Sequence, residues 1–331
     1  MAERASDERR AAPSSSRAPA GGGRAAAGGT PGVRGERING VLLLDKPSGM
    51  TSNAALQKAR RLFNAAKAGH TGTLDPMATG LLPLTFGEAT KFSADLLNAD
   101  KSYRATIKLG VTTTSGDADG AVVAISKVDV PDQELPQTLS RFVGAIEQVP
   151  PMHSALKHGG QPLYKLARAG GNVERAPRQV SVHRLTLVER RGDELVVDID
   201  CSKGTYVRVL AEDIGRALGC GAHLSALRRM CAGRLSVDDA VTLARLEALA
   251  PELRLARLLP EDELLASLAT VLLDEAHAAR FRQGQRLALD AEPRGSRVRV
   301  YGGGNELLGT ATISEWGVVE PERLVTNSWQ N

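Results

Sequence analysis

The chain has 331 residues, 42% of them hydrophobic, and a formal net charge of +4. This length and apolar content suffice for one large domain plus a small one and exclude global disorder, while the mildly basic balance is compatible with a polyanionic partner. The three cysteines form no Cys-x-x-Cys pair, which argues against a disulfide framework and a zinc site, and no stretch approaches the roughly 20 apolar residues of a membrane span.

Residues 1–36 are a low-complexity head of Ala, Gly, Ser, Pro and Arg. Such a composition buries too little apolar surface to offset the cost of ordering the chain, so it predicts a disordered basic tail. The head lacks the apolar core of a secretory signal, and with the unpaired cysteines this indicates a cytoplasmic protein. Two interpretations stay open: the arginines add weak, salt-sensitive attraction to a nucleic acid, or the tail is inert.

The ordered part is predicted to begin near Ile38. The apolar run Val41–Leu44 predicts a buried strand, and the residues Lys-Pro-Ser-Gly at 46–49 predict a turn. An amphipathic helix is expected to follow, capped by Thr51 or Ser52.

The segment 67–76 reads KAGHTGTLDP and is the most unusual part of the chain. Its glycines and proline hold an irregular backbone around His70 and Asp75, and Pro76 disfavours helical geometry at Asp75. Loops of this kind often carry catalytic groups, although Asp-Pro can also simply initiate a turn. His70 has no Cys, Asp or Glu at metal-ligand spacing, and the segment lacks the Gly-Lys-Ser/Thr ending of a phosphate-binding loop.

Two strands with period-two alternation are predicted in the middle of the chain, Tyr103–Leu109 and Leu195–Cys201. Between them lies the acidic segment Gly116–Gly120. Its spacing departs from that of an EF-hand, so it predicts a plain loop rather than a calcium site.

The residues Thr205–Val209 are predicted to be extended, which would place Tyr206 and Arg208 on one face of a strand. An Arg beside a carboxylate keeps it ionised, and a Tyr can stack on a base or relay a proton. Each residue taken singly is more often structural. A helix from about Leu210 is expected next, with Gly219 as its C-terminal stop.

From Val241 to Leu259 the chain is Leu-rich and is predicted to be helical, interrupted by Pro251 and Pro260, with a domain boundary near its end. A helix from about Asp274 to Gln283 and several short strands predict a small β-rich module after it. The expected strands are residues 286–289, 298–301 and 307–311.

The residues at 69–83, GHTGTLDPMATGLLP, form a highly specific motif. Further motifs are LDKPSGMTS at 44–52, VPPMHSALK at 149–157, and the segments 203–215 and 223–229. Together they resemble the TruB family of tRNA pseudouridine synthases, over nearly all of the chain from Ile38 onward. His153 stands where the family often has Tyr.

This resemblance implies an α+β fold in three parts. Residues 1–36 remain a basic tail. Residues 37–258 would form the pseudouridine synthase catalytic domain, with a mostly antiparallel mixed sheet and a central cleft. Residues 259–331 would form a small β-rich, PUA-like domain that contacts RNA.

The resemblance also implies the chemistry: a uridine at position 55 in the T-loop of tRNA is flipped out, its C1′–N1 bond is broken, and the base is rejoined through C5. Asp75 matches the family's aspartate, which acts as nucleophile or abstracts a ribose proton, so that a covalent adduct and a glycal both stay open. Arg208 matches the partner of that aspartate. Tyr206 matches a tyrosine near the base, a candidate for removing the C5 proton. The substrate-binding residues implied by the resemblance are His70, Tyr103, Tyr206, Leu227 and Lys46.

These residues have distinct implied roles. Tyr103 would stack on the flipped uracil, and His70 would fill the space that the nucleotide leaves. Leu227 would line the pocket, and Lys46 with Pro47 would support the loop that carries Asp75. No cofactor, metal or membrane is expected, and the enzyme is expected to be a monomer that acts on the T-arm of tRNA.

Two alternatives are weighed. One is a family member that works in a guide-RNA complex on ribosomal RNA, against which the short C-terminal module and the lack of long basic extensions argue. The other is a non-catalytic RNA-binding module or tRNA folding chaperone. Since the matching Asp, Tyr and Arg are all present, the sequence favours catalysis.

Overall fold

The computed structural model describes residues 35–326 except residues 155, 169 and 172. The predicted tail therefore lies outside the described residues up to position 34. The chain from Gly35 onward forms one compact unit. No helix in the described part is long and apolar enough to cross a membrane.

The strands in the described part, numbered in chain order, are β1 (Gly40–Lys46), β2 (Ala68–His70), β3 (Thr79–Phe86), β4 (Lys101–Leu109), β5 (Val111–Thr113), β6 (Val122–Ile125), β7 (Gly144–Gln148), β8 (Lys157–His158), β9 (Gln161–Pro162), β10 (Arg178–Arg191), β11 (Glu194–Cys201), β12 (Ala222–Ala232), β13 (Leu235–Ser236), β14 (Val241–Thr242), β15 (Ala269–Leu272), β16 (Leu287–Ala288), β17 (Arg297–Tyr301), β18 (Leu307–Ile313) and β19 (Val318–Leu324). The α-helices are α1 (Ser52–Leu62), α2 (Ser93–Leu97), α3 (Leu135–Ser140), α4 (Leu163–Arg168), α5 (Val207–Ala217), α6 (Leu243–Ala248), α7 (Pro251–Leu255) and α8 (Glu275–Arg282). Short 3-10 helices span Gly87–Phe92, Asp132–Glu134, Val237–Asp239, Glu261–Leu265 and Gly303–Asn305.

The main sheet has ten strands within the described residues, in the order β14-β1-β3-β12-β4-β11-β10-β7, with β2 beside β3 and β13 beside β12. The pairs β1/β14 and β3/β12 are parallel, and the other neighbours are antiparallel. The expected α+β fold with a mostly antiparallel mixed sheet is confirmed.

One face of this sheet carries the main core. Leu195, Val197 and Ile199 alternate along β11 with at most 1% exposure, and β4 sets Ile107 and Ala105 beside Leu195 and Val197. Helix α5 packs on β12 and belongs to the same apolar cluster. Burying each large apolar side chain contributes about 1.5–3 kcal/mol, so this face fixes the register of the strands.

Several predicted elements are confirmed. Strand β1 includes the apolar run 41–44, which is almost fully buried. Of the two predicted caps for α1, the structure uses Thr51, whose side chain accepts the Ala54 N–H at 3.1 Å. Helix α8 follows its predicted bounds closely and is capped by Asp274.

The extended conformation predicted for residues 205–209 is wrong. Helix α5 already begins at Val207, and Tyr206 is its N-cap, with φ −98° and ψ 105°. Tyr206 and Arg208 therefore do not share a strand face. The β-branched valines suggest a strand, but Val207, Leu210 and Ile214 are buried at helical spacing, and this tertiary burial outweighs the local β preference.

The segment 241–259 is helical with a break at Pro251, as predicted, except at its start. It consists of the short strand β14 followed by the helices α6 and α7, and Pro251 is the first residue of α7. A proline lacks the backbone N–H that an uninterrupted helix would need at this point, so it begins a new helix instead.

The C-terminal module is a five-stranded sheet in the order β15-β17-β18-β19-β16. Strands β16, β17 and β18 lie where the sequence predicts strands, whereas β15 and β19 were missed. The buried carboxylate of Glu88, beside β3, ties the module to the main sheet: it accepts the Thr326 N–H at 2.8 Å and a bond from Lys91 at 2.6 Å.

Gly80 lies where three strands meet, since it pairs with Lys46 on β1 and with Arg229 on β12. Its φ is +96°, and a Cβ at this position would lie 2.3 Å from the Arg229 carbonyl oxygen. Only glycine allows both this conformation and this close approach.

We expect Gly80→Ala to lower the free energy of unfolding by at least about 3 kcal/mol, because a left-handed conformation and a backbone clash add together. The control is Gly219→Ala, since Gly219 has φ +75° but open space around its Cα. It should lose only about 1–2 kcal/mol. Chemical denaturation measures both, and equal losses would contradict the steric argument.

Candidate active site

Lys46 supports one side of the loop that carries Asp75. Its side chain is fully buried at the end of β1, and its ammonium donates to the carbonyls of Pro47 (2.9 Å), Met50 (2.6 Å) and Pro76 (3.3 Å). The Gly49 N–H donates to the same Pro76 carbonyl at 2.8 Å. The turn after β1 is thus fastened to the residue next to Asp75.

Ser52 supports the other side of the loop. Its hydroxyl donates to the Leu74 carbonyl at 2.9 Å and accepts the Leu74 N–H at 2.8 Å. The Ser48 hydroxyl donates to the Met77 carbonyl at 3.1 Å. These hydrogen bonds hold the backbone on both sides of Asp75, so the position from which its carboxylate projects is fixed.

The side chain of Arg208 meets this carboxylate. Its Nε lies 3.0 Å from Asp75 Oδ2, and its Nη1 lies 3.5 Å from Asp117 Oδ2. The guanidinium also donates to the carbonyls of His153 at 2.7 Å and Ser115 at 3.3 Å. Arg208 and Asp117 have side chains only 5% and 6% exposed, whereas Asp75 is 34% exposed and faces open space.

Burial is the largest influence on the pKa values of Asp75 and Lys46. It raises the pKa of Asp75 above its usual range, the Arg208 guanidinium opposes this shift, and the Asp117 carboxylate adds to it. Burial also lowers the pKa of Lys46 to about 8, with the charge of Asp75 acting in the opposite direction. The ionised Asp75 carboxylate is therefore a stronger base or nucleophile than an exposed aspartate.

Asp75 opens into a cleft of about 740 Å³, within the usual size range of small-ligand sites. His70 lies on its wall with its Nδ1 3.4 Å from the Gly72 nitrogen, which donates to it. Burial lowers the pKa of His70 and so favours the neutral ring. Other residues that line the cleft are Thr51, Ser52, Thr73, Ser115, Asp117, Asp119, His153, Ser154 and Arg208.

The structure thus brings His70, Asp75 and Arg208 together and places Lys46 behind the loop. Tyr103, on β4, and Tyr206 are half-buried, and burial raises the pKa of both while the charge of Asp75 adds to the shift. Both phenols therefore lie within electrostatic reach of Asp75. Leu227 is 9% exposed on β12, beside Ala105.

Asp117 is a site residue that the sequence reasoning missed, because the loop 116–120 was weighed only as a calcium site. Among the described residues, no cluster of His, Cys, Asp or Glu has the arrangement of a metal site. Asp117 instead pairs with Arg208 across a long stretch of sequence, a contact that its local pattern does not signal.

Arg229 was also missed as an individual residue. It is 2% exposed and donates to the carbonyls of Leu81 at 2.6 Å and Gly72 at 3.2 Å. The charge of its guanidinium lowers the pKa of the Tyr103 phenol, against the larger effect of burial. Period-two spacing from the apolar Leu227 was the available signal, since it puts Arg229 on the buried face of β12.

Family models match almost the whole described chain. The model of the TruB family pseudouridylate synthase N-terminal domain matches residues 60–207. The tRNA pseudouridylate synthase B C-terminal domain matches residues 208–266, and the C-terminal model of pseudouridine synthase II TruB matches residues 269–325.

Curated relatives are similar over nearly their full length. A tRNA pseudouridine synthase B of Dechloromonas aromatica is 57% identical over 88% of this chain and 96% of its own. Relatives with the same name from Aromatoleum aromaticum and Burkholderia mallei are 57% and 56% identical, each over 87% of this chain.

Solved structures share the fold. A Cbf5-Nop10-Gar1 complex contains a chain that is 27% identical with a TM-score of 0.69, over 88% of this chain and 86% of that one. An H/ACA RNP bound to a substrate RNA containing 2′-deoxyuridine has a chain with a TM-score of 0.68 over 92% of this chain and 94% of that one; at 24% identity it shows the fold alone.

We expect Arg208→Met to raise the pKa of Asp75 further, because burial remains while the guanidinium that favours the carboxylate is lost. Carboxyl ¹³C NMR, with the signal assigned through Asp75→Asn, follows this titration. The control is Arg184→Met, which removes an exposed arginine paired with Asp200 and should leave the pKa of Asp75 unchanged. An unchanged or lower pKa of Asp75 in Arg208→Met would contradict the assigned electrostatics.

Proposed function

The chain belongs to the TruB family of pseudouridine synthases, and from this premise we propose that it isomerises uridine 55 in the T-loop of tRNA with Asp75 as the nucleophile. The observation that carries the proposal is the contact between Asp75 and the buried Arg208 at the base of a nucleotide-sized cleft. The enzyme is therefore an isomerase, a tRNA pseudouridine synthase.

The reaction needs a group that acts at the ribose while the C1′–N1 bond breaks. The ionised Asp75 carboxylate either attacks C1′ or removes a ribose proton, and its raised pKa strengthens it in both roles. The freed uracil turns and C5 bonds to C1′, while either the Asp75–C1′ bond breaks or the ribose proton returns from Asp75 to the sugar. The C5 proton leaves through the Tyr206 phenol, which passes its own proton on to solvent, and N1 gains a proton in the product. Every atom of the nucleotide is retained apart from this exchange of protons with solvent, so no cofactor is consumed.

The target base has to leave its stack before C1′ can be reached. Extrusion costs a few kcal/mol, least in a loop whose bases are already splayed. Tyr103 stacks on the extruded uracil, and the neutral ring of His70 fills the space left in the RNA. Leu227 adds an apolar wall, and Lys46 keeps the Asp75 loop in place while the RNA is bound.

The T-arm is recognised by its shape and by contacts of Lys and Arg to phosphates. Residues 37–258 act as the catalytic domain and residues 259–331 as a PUA-like RNA-contacting domain of a cytoplasmic monomer. We favour tRNA over a guide-dependent target because relatives at 56–57% identity are named tRNA pseudouridine synthase B, whereas the chain of the Cbf5 complex is 27% identical.

We expect the protein to release tritium from a T-arm stem-loop carrying C5-tritiated uridine, with EDTA present and no metal added. Asp75→Asn should reduce the rate by more than about 1,000-fold, because it removes a group that acts in the transition state. The control is Asp129→Asn, which changes an exposed carboxylate paired with Lys127 and should keep full activity. Tight RNA binding without release by the unsubstituted protein would instead support a non-catalytic RNA-binding module.

We expect Tyr103→Leu to lower kcat/KM about 5- to 150-fold, because base stacking on an aromatic ring is worth about 1–3 kcal/mol. Tyr103→Phe keeps the ring and removes only the hydroxyl group, so its kcat/KM should fall much less. Steady-state tritium release compares the two. Equal losses would assign the role of Tyr103 to its hydroxyl rather than to stacking.

A further inference from the structure

Gln148 is an amide side chain buried beside the catalytic turn. It ends β7 and is 2% exposed, although glutamine is mostly found at the surface. Its Oε1 accepts the Tyr206 N–H at 2.9 Å, and its Nε2 donates to the Tyr206 carbonyl at 3.3 Å. One side chain thus satisfies both backbone groups of a single residue, as a neighbouring strand would.

Tyr206, the residue held in this way, lies at the start of the helix that carries Arg208. Tyr206 is the N-cap of α5, and its own side chain makes no capping hydrogen bond to the helix. Its carbonyl also accepts the Leu210 N–H at 3.1 Å, the first bond of the helix. Because Arg208 lies in this first turn, a rotation of the Tyr206 peptide would move both the phenol and the guanidinium relative to Asp75.

The chain that follows Gln148 contacts the same turn again. The carbonyl of His153 accepts from Arg208 Nη2 at 2.7 Å. Residues 148–153 therefore reach the turn at its backbone and at its arginine. Gln148 is the member of this segment that fixes backbone geometry with two hydrogen bonds.

We propose that Gln148 is a positioning residue: it fixes the Tyr206 peptide so that Tyr206 and Arg208 face Asp75 correctly, and so sets the rate of isomerisation rather than the affinity for tRNA. The inference rests on the proposed function of the site. Small displacements of catalytic groups are costly, since a misplacement of about 1 Å can reduce a rate about 100-fold.

The test compares Gln148→Met, which keeps the length without polar atoms, with Gln148→Glu, which keeps the shape and the acceptor but loses the donor. The matched control is Gln179→Met on the neighbouring β10, where Gln179 is exposed. Single-turnover tritium release, the Kd for tRNA, the Tm and the ¹³C titration of Asp75 are measured for each full-length protein.

For Gln148→Met we expect a single-turnover rate reduced about 10- to 100-fold, a Kd for tRNA within about twofold of the unsubstituted protein, and a raised pKa of Asp75 because Arg208 is displaced. Gln148→Glu should be slowed as well, since a carboxylate oxygen would face the Tyr206 carbonyl. If Gln148→Met does not fold, Gln148→Glu decides by the same readouts. Gln179→Met should match the unsubstituted protein throughout.

Two results would overturn the inference. One is full activity of a folded Gln148→Met or Gln148→Glu variant. The other is a loss of rate and of tRNA binding in proportion to a fall in Tm, with an unchanged Asp75 titration, which would make Gln148 purely structural. Inactivity of the unsubstituted protein would instead count against the proposed function, so the two failures are distinguishable.

Discussion

The buried guanidinium of Arg208 is the constraint on which the site depends. A charge removed from water is costly unless charged partners and hydrogen-bond acceptors surround it. Here they come from three parts of the chain: Asp75 in its loop, Asp117 and the Ser115 carbonyl in a second loop, and the His153 carbonyl. Removing any one partner leaves a buried charge undercompensated. These contacts therefore fix the relative positions of the segments that form the walls of the cleft.

Lys46 complements Arg208 from the opposite side. Arg208 contacts the Asp75 carboxylate directly, whereas Lys46 binds three backbone carbonyls and reaches Asp75 through the peptide at Pro76. One cation therefore orients the carboxylate of Asp75, the proposed nucleophile, and the other holds the loop that carries it. Fixed charges of this kind need no rearrangement during the reaction, which is how enzyme sites stabilise changing charge.

The sequence correctly predicts the elements that depend on a local pattern of residues. It fails for elements and contacts that are decided by residues distant in sequence. Alternation in β11 and the Thr51 cap of α1 are local signals, and both are confirmed. The pairing of Asp75 with Arg208 was anticipated from the family motifs rather than from spacing. The predicted start of helix α5 lay too far along the chain, because its valines favour strands. The role of Asp117 was missed because its partner, Arg208, is distant in sequence. Burial against the sheet and pairing of buried charges outweigh local preference at both places.

The strand order has a consequence for synthesis on the ribosome. Within the described chain, β1 and β3 on one side and β4, β11, β10 and β7 on the other are joined through β12, which ends at Ala232. A nascent chain therefore carries two separate sheet fragments until β12 emerges, because long-range pairings form only after the intervening chain exists. The Asp75 loop belongs to the first fragment and α5 packs on β12, so Asp75 and Arg208 come into contact only after β12 has joined the two fragments. The open edges of β3 and β4 are the surfaces that a chaperone would have to shield during that interval.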